Sequence, residues 1–161
     1  MTDRGKSIEN LQTALAMELT AVNQYLLHAH TLDDWGLDKL AHRMRDEMQE
    51  ELGHAGRFID RIMFLGGTPE LTPTRTPKMA ETLKDLFEDD KKEEQGAIDF
   101  YSRAARDAAE SNDIGTRTLF ESIVIDEEGH WDWLDRQIGT LKRMGEPAFM
   151  SIYMSGESAE G

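Results

Sequence analysis

Residues 50–58 read EELGHAGRF and residues 126–134 read DEEGHWDWL. Each stretch holds a Glu three places before a His, Glu51 with His54 and Glu127 with His130. On a helix that spacing puts both side chains on one face. The surrounding residues repeat at helical spacing: Leu40, Met44, Glu47, Glu51, His54 and Phe58 form one stripe, and Phe120, Ile123, Glu127, His130, Leu134 and Leu141 another. Both stripes therefore carry an acid and an imidazole where core residues are expected.

Two more stripes share the anomaly. Leu11, Leu15, Glu18, Val22, Tyr25 and Ala29 form the first, and Leu83, Phe87, Asp90, Glu94, Ala97, Tyr101 and Ala104 the second. The two halves of the chain match at an offset of 76 residues: Glu18 with Glu94, Tyr25 with Tyr101, Glu51 with Glu127, Gly53 with Gly129 and His54 with His130. Two helix pairs with one pattern predict a bundle of approximate two-fold symmetry about a site in its middle.

The elements predicted are helices over about residues 7–35, 37–65, 80–110 and 114–144, with a short fifth over 148–154. Ser7 with Asn10 three places on is a weak start signal for the first. Gly66-Gly67 before Pro69 stops the second. Residues 66–79 hold three of the four prolines, Pro69, Pro73 and Pro77, and read as an extended crossover running along the bundle. The fold expected is all-α, an up-down-down-up four-helix bundle in one domain spanning residues 1–161, with Ser155–Gly161 frayed.

At 161 residues and 39% hydrophobic, the chain can bury a sizeable core. Eighteen basic against 32 acidic residues leave a net charge of −14, which argues against a nucleic-acid surface and suits a protein that attracts cations. With no cysteine, disulfides, iron–sulfur clusters and thiolate zinc sites are excluded. No stretch reads as a membrane span, and the start MTDRGKS lacks a signal-peptide core, so a cytoplasmic location is expected.

A lone buried carboxylate costs several kcal/mol. Four of them, Glu18, Glu51, Glu94 and Glu127, would wreck a bundle without something cationic between them. Four carboxylates neutralise two divalent cations, two imidazoles give each ion a ligand of its own, and one pair of Glu can bridge. One Glu from each of two helices plus Glu-x-x-His from each of the other two is a dinuclear motif. Oxygen-rich ligation with one imidazole per ion suits iron or manganese, and zinc or cobalt should also enter.

The segments ELTAVNQYLLHA, EELGHAGRFIDRIMFLGG and DEEGHWDWL make the chain similar to the bacterioferritins of the ferritin-like di-iron superfamily over nearly its whole length. The resemblance implies a hollow 24-subunit shell built from two-fold dimers that oxidises ferrous iron with O2 or H2O2 and stores a ferric mineral. It carries over Glu18, Glu51, His54, Glu94, Glu127 and His130 as ligands of two Fe ions, with Glu51 and Glu127 bridging and Glu18 and Glu94 terminal. Tyr25 matches a tyrosine beside that site that hydrogen-bonds a ligand or supplies an electron. A ferredoxin is the electron donor expected for iron release. The family's axial haem ligand is a Met that falls at Leu52 here, and Leu cannot ligate iron. Met48, one turn earlier, is a poor substitute. A shell of this chain alone is therefore expected to bind little or no haem b, unless a methionine-bearing paralogue co-assembles.

Other residues are expected to play lesser parts. His28, His30 and His42 read as surface or interface histidines, and Glu47 as an outer or transit ligand. Glu50 reads as facing solvent or a cavity, Asp46 as lying on neither face, and Trp35, Trp131 and Trp133 as packing. Met17, Met44 and Met63 read as filling core or subunit contacts, and Met48, Leu52, Ala55 and Ile59 as a spare apolar stripe for a subunit interface. Gly53 and Gly129 read equally as close approach beside the metal or as tolerated exposed glycines. Two alternative functions stand beside storage: a non-storage di-iron or di-manganese oxidase or peroxidase, and a structural shell subunit.

Overall fold

The computed structural model describes residues 3–154. Five helices make up the described chain: α1 (Arg4–Asp34), α2 (Asp38–Phe64), α3 (Leu83–Glu110), α4 (Ile114–Met144) and α5 (Glu146–Tyr153). The chain is all-α, and no described helix is long and apolar enough to cross a membrane.

Side-chain pairs give the direction of each helix. Along α1 and α3, Asn10 meets Asp107, Glu18 meets Tyr101, Tyr25 meets Glu94 and Gln24 meets Asp90, so the two run antiparallel. Along α2 and α4, His130 meets Glu50, His54 meets Asp126 and Arg61 meets Thr116, again antiparallel. Short turns make α1 antiparallel to α2 and α3 antiparallel to α4. The order is up-down-down-up, with the long crossover between α2 and α3.

The helix ends explain small shifts from the expected boundaries. α1 starts at Arg4 rather than Ser7, because Asp3 caps it by accepting the Lys6 N–H at 3.2 Å. α3 starts at Leu83 rather than residue 80, because Thr82 accepts the Asp85 N–H at 3.0 Å. α5 runs from Glu146 to Tyr153 rather than over 148–154, since Pro147 suits a first helical turn. Gly66 takes φ 89° after α2, and a Cβ on Gly67 would lie 3.0 Å from Ile62 Cγ2 and 3.1 Å from Ile8 Cγ2. The glycine pair therefore both ends the helix and lets the crossover leave close to it. The expectation for Ser155–Gly161 lies outside the described residues.

Every residue of the four predicted stripes is buried except Val22, which is only half-buried. The core is not continuous. One apolar cluster gathers Leu32, Leu40, Met44, Phe87, Leu134 and Phe149, and a second gathers Leu11, Leu15, Phe58, Ile62, Tyr101 and Phe120. Glu18, Glu51, Glu94 and Glu127 each lie on their helix between a residue of one cluster and a residue of the other. Two greasy ends clamp a polar middle, and each fully buried Leu or Phe contributes about 1.5–3 kcal/mol toward holding it.

Asp113 ties the α3–α4 turn to α2. It caps α4 by accepting the Thr116 N–H at 3.2 Å, and it accepts from the Arg61 guanidinium at 2.7 Å. Burial alone would raise its pKa, but the hydrogen bonds from Thr116 and Arg61 prevail and hold it below its ordinary value. A lowered carboxylate pKa stabilises the fold above the unfolded-state value of about 3.9, and that contribution is lost as pH falls through the folded value. Asp113→Ala should cost about 1–3 kcal/mol in urea unfolding at pH 7, with the gap from the parent closing below about pH 4.

Candidate metal centre

The six predicted side chains converge in the polar middle. His54 Nδ1 lies 2.9 Å from Glu127 Oε1, 3.4 Å from Glu51 Oε2 and 3.7 Å from Glu18 Oε1. His130 Nδ1 lies 2.9 Å from Glu51 Oε1, 3.5 Å from Glu94 Oε1 and 4.0 Å from Glu127 Oε1. Two overlapping groups result, Glu18, Glu51, His54 and Glu127 in one and Glu51, Glu94, Glu127 and His130 in the other, each with donor atoms within 4.8 Å of one another. Glu51 and Glu127 belong to both, while Glu18 and Glu94 belong to one each. All six are at least 95% buried. The two imidazoles stack with centroids 6.4 Å apart.

The donor set fits cations. Glu18 Oε2, Glu94 Oε2, both Glu51 oxygens, Glu127 Oε1 and both His Nδ1 atoms are buried and make no hydrogen bond. Orphaned buried polar atoms are rare and costly. A pair of divalent ions would satisfy all of them together and cancel four negative charges.

Around this ring lies a second set of contacts. His54 Nε2 is 3.0 Å from Asp126 Oδ2, and His130 Nε2 is 2.8 Å from Glu50 Oε2. Each imidazole is thus held by a carboxylate from the other Glu-x-x-His helix, which fixes its orientation and leaves Nδ1 facing the centre. The Tyr25 hydroxyl donates to Glu94 Oε1 at 2.5 Å, and the Tyr101 hydroxyl donates to Glu18 Oε1 at 2.7 Å. Asp126 and the role of Tyr101 were not anticipated. The 76-residue offset was the signal for both, since it relates Glu50 to Asp126 and Tyr25 to Tyr101.

Glu47 breaks the symmetry, because its equivalent at the same offset is Ile123. It is buried, with Oε2 2.8 Å from His130 Nε2 and Oε1 2.7 Å from Arg43. Burial would raise its pKa, yet His130 and Arg43 lower it below the ordinary value. Inside the ring the balance differs. Burial, then the charges of Glu18 and Glu94, push Glu51 well up; burial, then Glu94 and Glu51, do the same to Glu127. For His54 burial opposes protonation, but Glu127, Glu18 and Glu51 outweigh it and raise the pKa. For His130 burial likewise loses to Glu47, Glu51 and Glu94. Burial, with Glu94 and Glu18 respectively, raises the phenols of Tyr25 and Tyr101 well up.

The remaining histidines divide. His28 is buried rather than on the surface, because α1 packs it against α3, where its Nδ1 meets Asp90 Oδ1 at 2.8 Å. His30 and His42 are exposed. Asp46 is exposed and 3.8 Å from His42. Glu50 is about half exposed. Gly53 and Gly129 have open space where a Cβ would stand, so close approach does not explain them. Trp35 and Trp133 pack against the first core cluster, and Trp131 lies under Lys91. Met44 is core, Met17 is half-buried and Met63 is exposed. In the spare stripe Ala55 is buried, Met48 and Ile59 are half-buried, and Leu52 is exposed.

The fold and this centre define a class. A ferritin-like domain model matches residues 8–144. Among curated proteins, a bacterioferritin of Rhodobacter capsulatus is 41% identical over 149 residues, covering 92% of each chain, and one of Brucella melitensis is 38% identical with the same coverage. Solved structures agree. The R. capsulatus bacterioferritin, described with a metal-free dinuclear site and a heme iron in a crystallographic special position, superposes with TM-score 0.94 at 39% identity over 99% of both chains. A Mycobacterium tuberculosis bacterioferritin gives 0.92 at 32% identity, covering 96% of this chain and 98% of its own. The chain belongs to the ferritin-like family, and within it to the bacterioferritins.

Cation uptake here must displace protons from the imidazoles and the raised carboxyls. Zn2+ or Co2+ affinity should therefore rise with pH between 5.5 and 8, and uptake in weak buffer should acidify the solution. Replacing both His54 and His130 by Gln should reduce the protons released per ion. A pH-independent affinity would speak against the centre.

Proposed function

We propose that the chain binds two ferrous ions as substrate between Glu18, Glu51, His54, Glu94, Glu127 and His130, and that their oxidation by O2 or H2O2 feeds a ferric mineral stored inside a homo-oligomeric shell. One observation carries this reading: two four-residue groups of buried donors share Glu51 and Glu127. Membership of the bacterioferritins supports iron storage and a multi-subunit shell. Two adjacent ferrous ions supply two electrons to one oxidant, which avoids one-electron release of radicals.

The protein's part is placement. Glu51 offers one oxygen toward each imidazole, 3.4 Å from His54 and 2.9 Å from His130, so a single rigid carboxylate sets the spacing of the pair. Tyr101 and Tyr25 each hold Oε1 of a terminal Glu, while Oε2 stays buried without a hydrogen-bond partner. Asp126 and Glu50 keep each Nδ1 aimed at the centre. This preorganisation means that little rearrangement accompanies electron transfer. Manganese, zinc or cobalt would enter the same donors. Reductive release of the store calls for an external electron donor of the ferredoxin class.

Glu18→Ala or His54→Ala should slow ferrous oxidation at least about 10-fold while leaving helicity and particle size unchanged. From an 18.3 kDa chain, a 24-subunit shell runs near about 440 kDa on size exclusion and should take up hundreds of irons aerobically. Parent-like rates in both variants, or a dimer without mineral, would reject the reading.

Haem does not fit at the position the resemblance assigns. Leu52 is exposed and carries only carbon, and Met48 packs partly against this chain's own core. A shell of this chain alone should show no bis-methionine haem spectrum after haem is added, and Leu52→Met should create one. Haem in the natural particle would then come through a co-assembled methionine-bearing paralogue.

A further inference from the structure

A cavity of about 10 Å³, room for roughly one water-sized sphere, opens onto the centre between α1 and α3. Glu18, Glu51, Glu94, Glu127 and Tyr101 line its inner end, and Met17, Ala21, Glu93 and Ala97 complete its lining. Met17 with Glu93 and Ala21 with Ala97 obey the 76-residue offset, so this lining straddles the pseudo-two-fold axis. The two alanines keep the gap between the helices open. Glu93 is the one charged residue in the lining that is not part of the ring of donors.

The crossover brings a cation to it. Thr74 donates its N–H to Thr20 Oγ1 at 2.9 Å, which fastens the crossover against α1. The next residue, Arg75, donates to Gln24 Oε1 at 2.7 Å and pairs with Glu93. Gln24 donates in turn to buried Asp90 at 2.8 Å, and Asp90 meets His28. The guanidinium is therefore anchored rather than free to wander. Arg75 and Glu93 remain partly exposed, at 42% and 34% of their side-chain surface, and a pair of that kind opens easily.

We propose that Glu93 is an entry site for a divalent cation on its way to the dinuclear centre, and that Arg75 guards it by competing for the same carboxylate. An arriving cation takes over Glu93, Arg75 keeps its bond to Gln24 and gives up only the carboxylate, and the ion then meets Glu18 and Glu94 at the cavity's inner end, whose Oε2 atoms are buried and unpartnered. This inference rests on the dinuclear reading above but adds a route and a control to it.

Co2+ loading of the full oligomer, followed by stopped-flow through its d–d absorption, separates the two. Glu93→Gln should slow loading about 10-fold and weaken its dependence on ionic strength, and Arg75→Gln should accelerate it, with two Co2+ per chain at equilibrium in both. Parent-like loading rates in both variants would overturn the inlet. So would a parent-like loading rate in Glu93→Gln alone, whatever Arg75→Gln does. A stoichiometry reduced only in Glu93→Gln would make Glu93 a resident ligand, which also overturns it. Fewer than two Co2+ in the parent would sink the dinuclear reading itself.

Discussion

Four carboxylates buried face to face, with two imidazoles between them, are the constraint everything else answers to. Separately each would be driven back to water, at a cost of several kcal/mol. Together they form a cage whose repulsion only positive charge can relieve. Protons relieve it in part: burial and then the neighbouring carboxylates raise Glu51 and Glu127, while for His54 and His130 the carboxylates outweigh burial. Two divalent ions would cancel the four negative charges, and the donor set offers places for them.

The bundle is arranged to bear that cost. The polar layer sits between two apolar clusters, so the ends of the helices lock the middle in register. The carboxylates and phenols around the ring are not spare polarity. Asp126 and Glu50 brace the imidazoles, and Tyr101 and Tyr25 brace the terminal carboxylates, each from the partner helix of its pair. Cross-bracing of this kind couples the centre's geometry to helix packing. Close to the ring of donors, two departures from the 76-residue repeat have consequences. Glu47 opposite Ile123 adds charge beside His130 alone, and Glu93 opposite Met17 makes one side of the α1–α3 cavity acidic.

Helical period, interrupted by acids at core positions and repeated at one offset, was enough to read the bundle, its crossover and all six central residues from the chain itself. Boundaries moved by a few residues where a cap outside the periodic pattern, such as Asp3 or Thr82, set the true start. His28 was misjudged because a polar residue on a helix reads as exposed until its partner is known, and Asp90 lies 62 positions away. Tyr101 was visible as a stripe residue, but that its hydroxyl reaches Glu18 is a matter of how α3 lies on α1.

What the sequence determined by itself is therefore what local periodicity and composition can encode: four long amphipathic helices, their two-fold repeat, and acids and imidazoles at core positions of the stripes. What the tertiary structure decided is which atoms meet. Glu51 and Glu127 belong to both halves of the centre because antiparallel packing of α2 on α4 sets them between the two imidazoles. Arg75 reaches Glu93 only because the crossover is fastened to α1 by Thr20. Contacts between residues far apart in the chain depend on rigid-body placement of helices, and no periodicity within one helix carries that information.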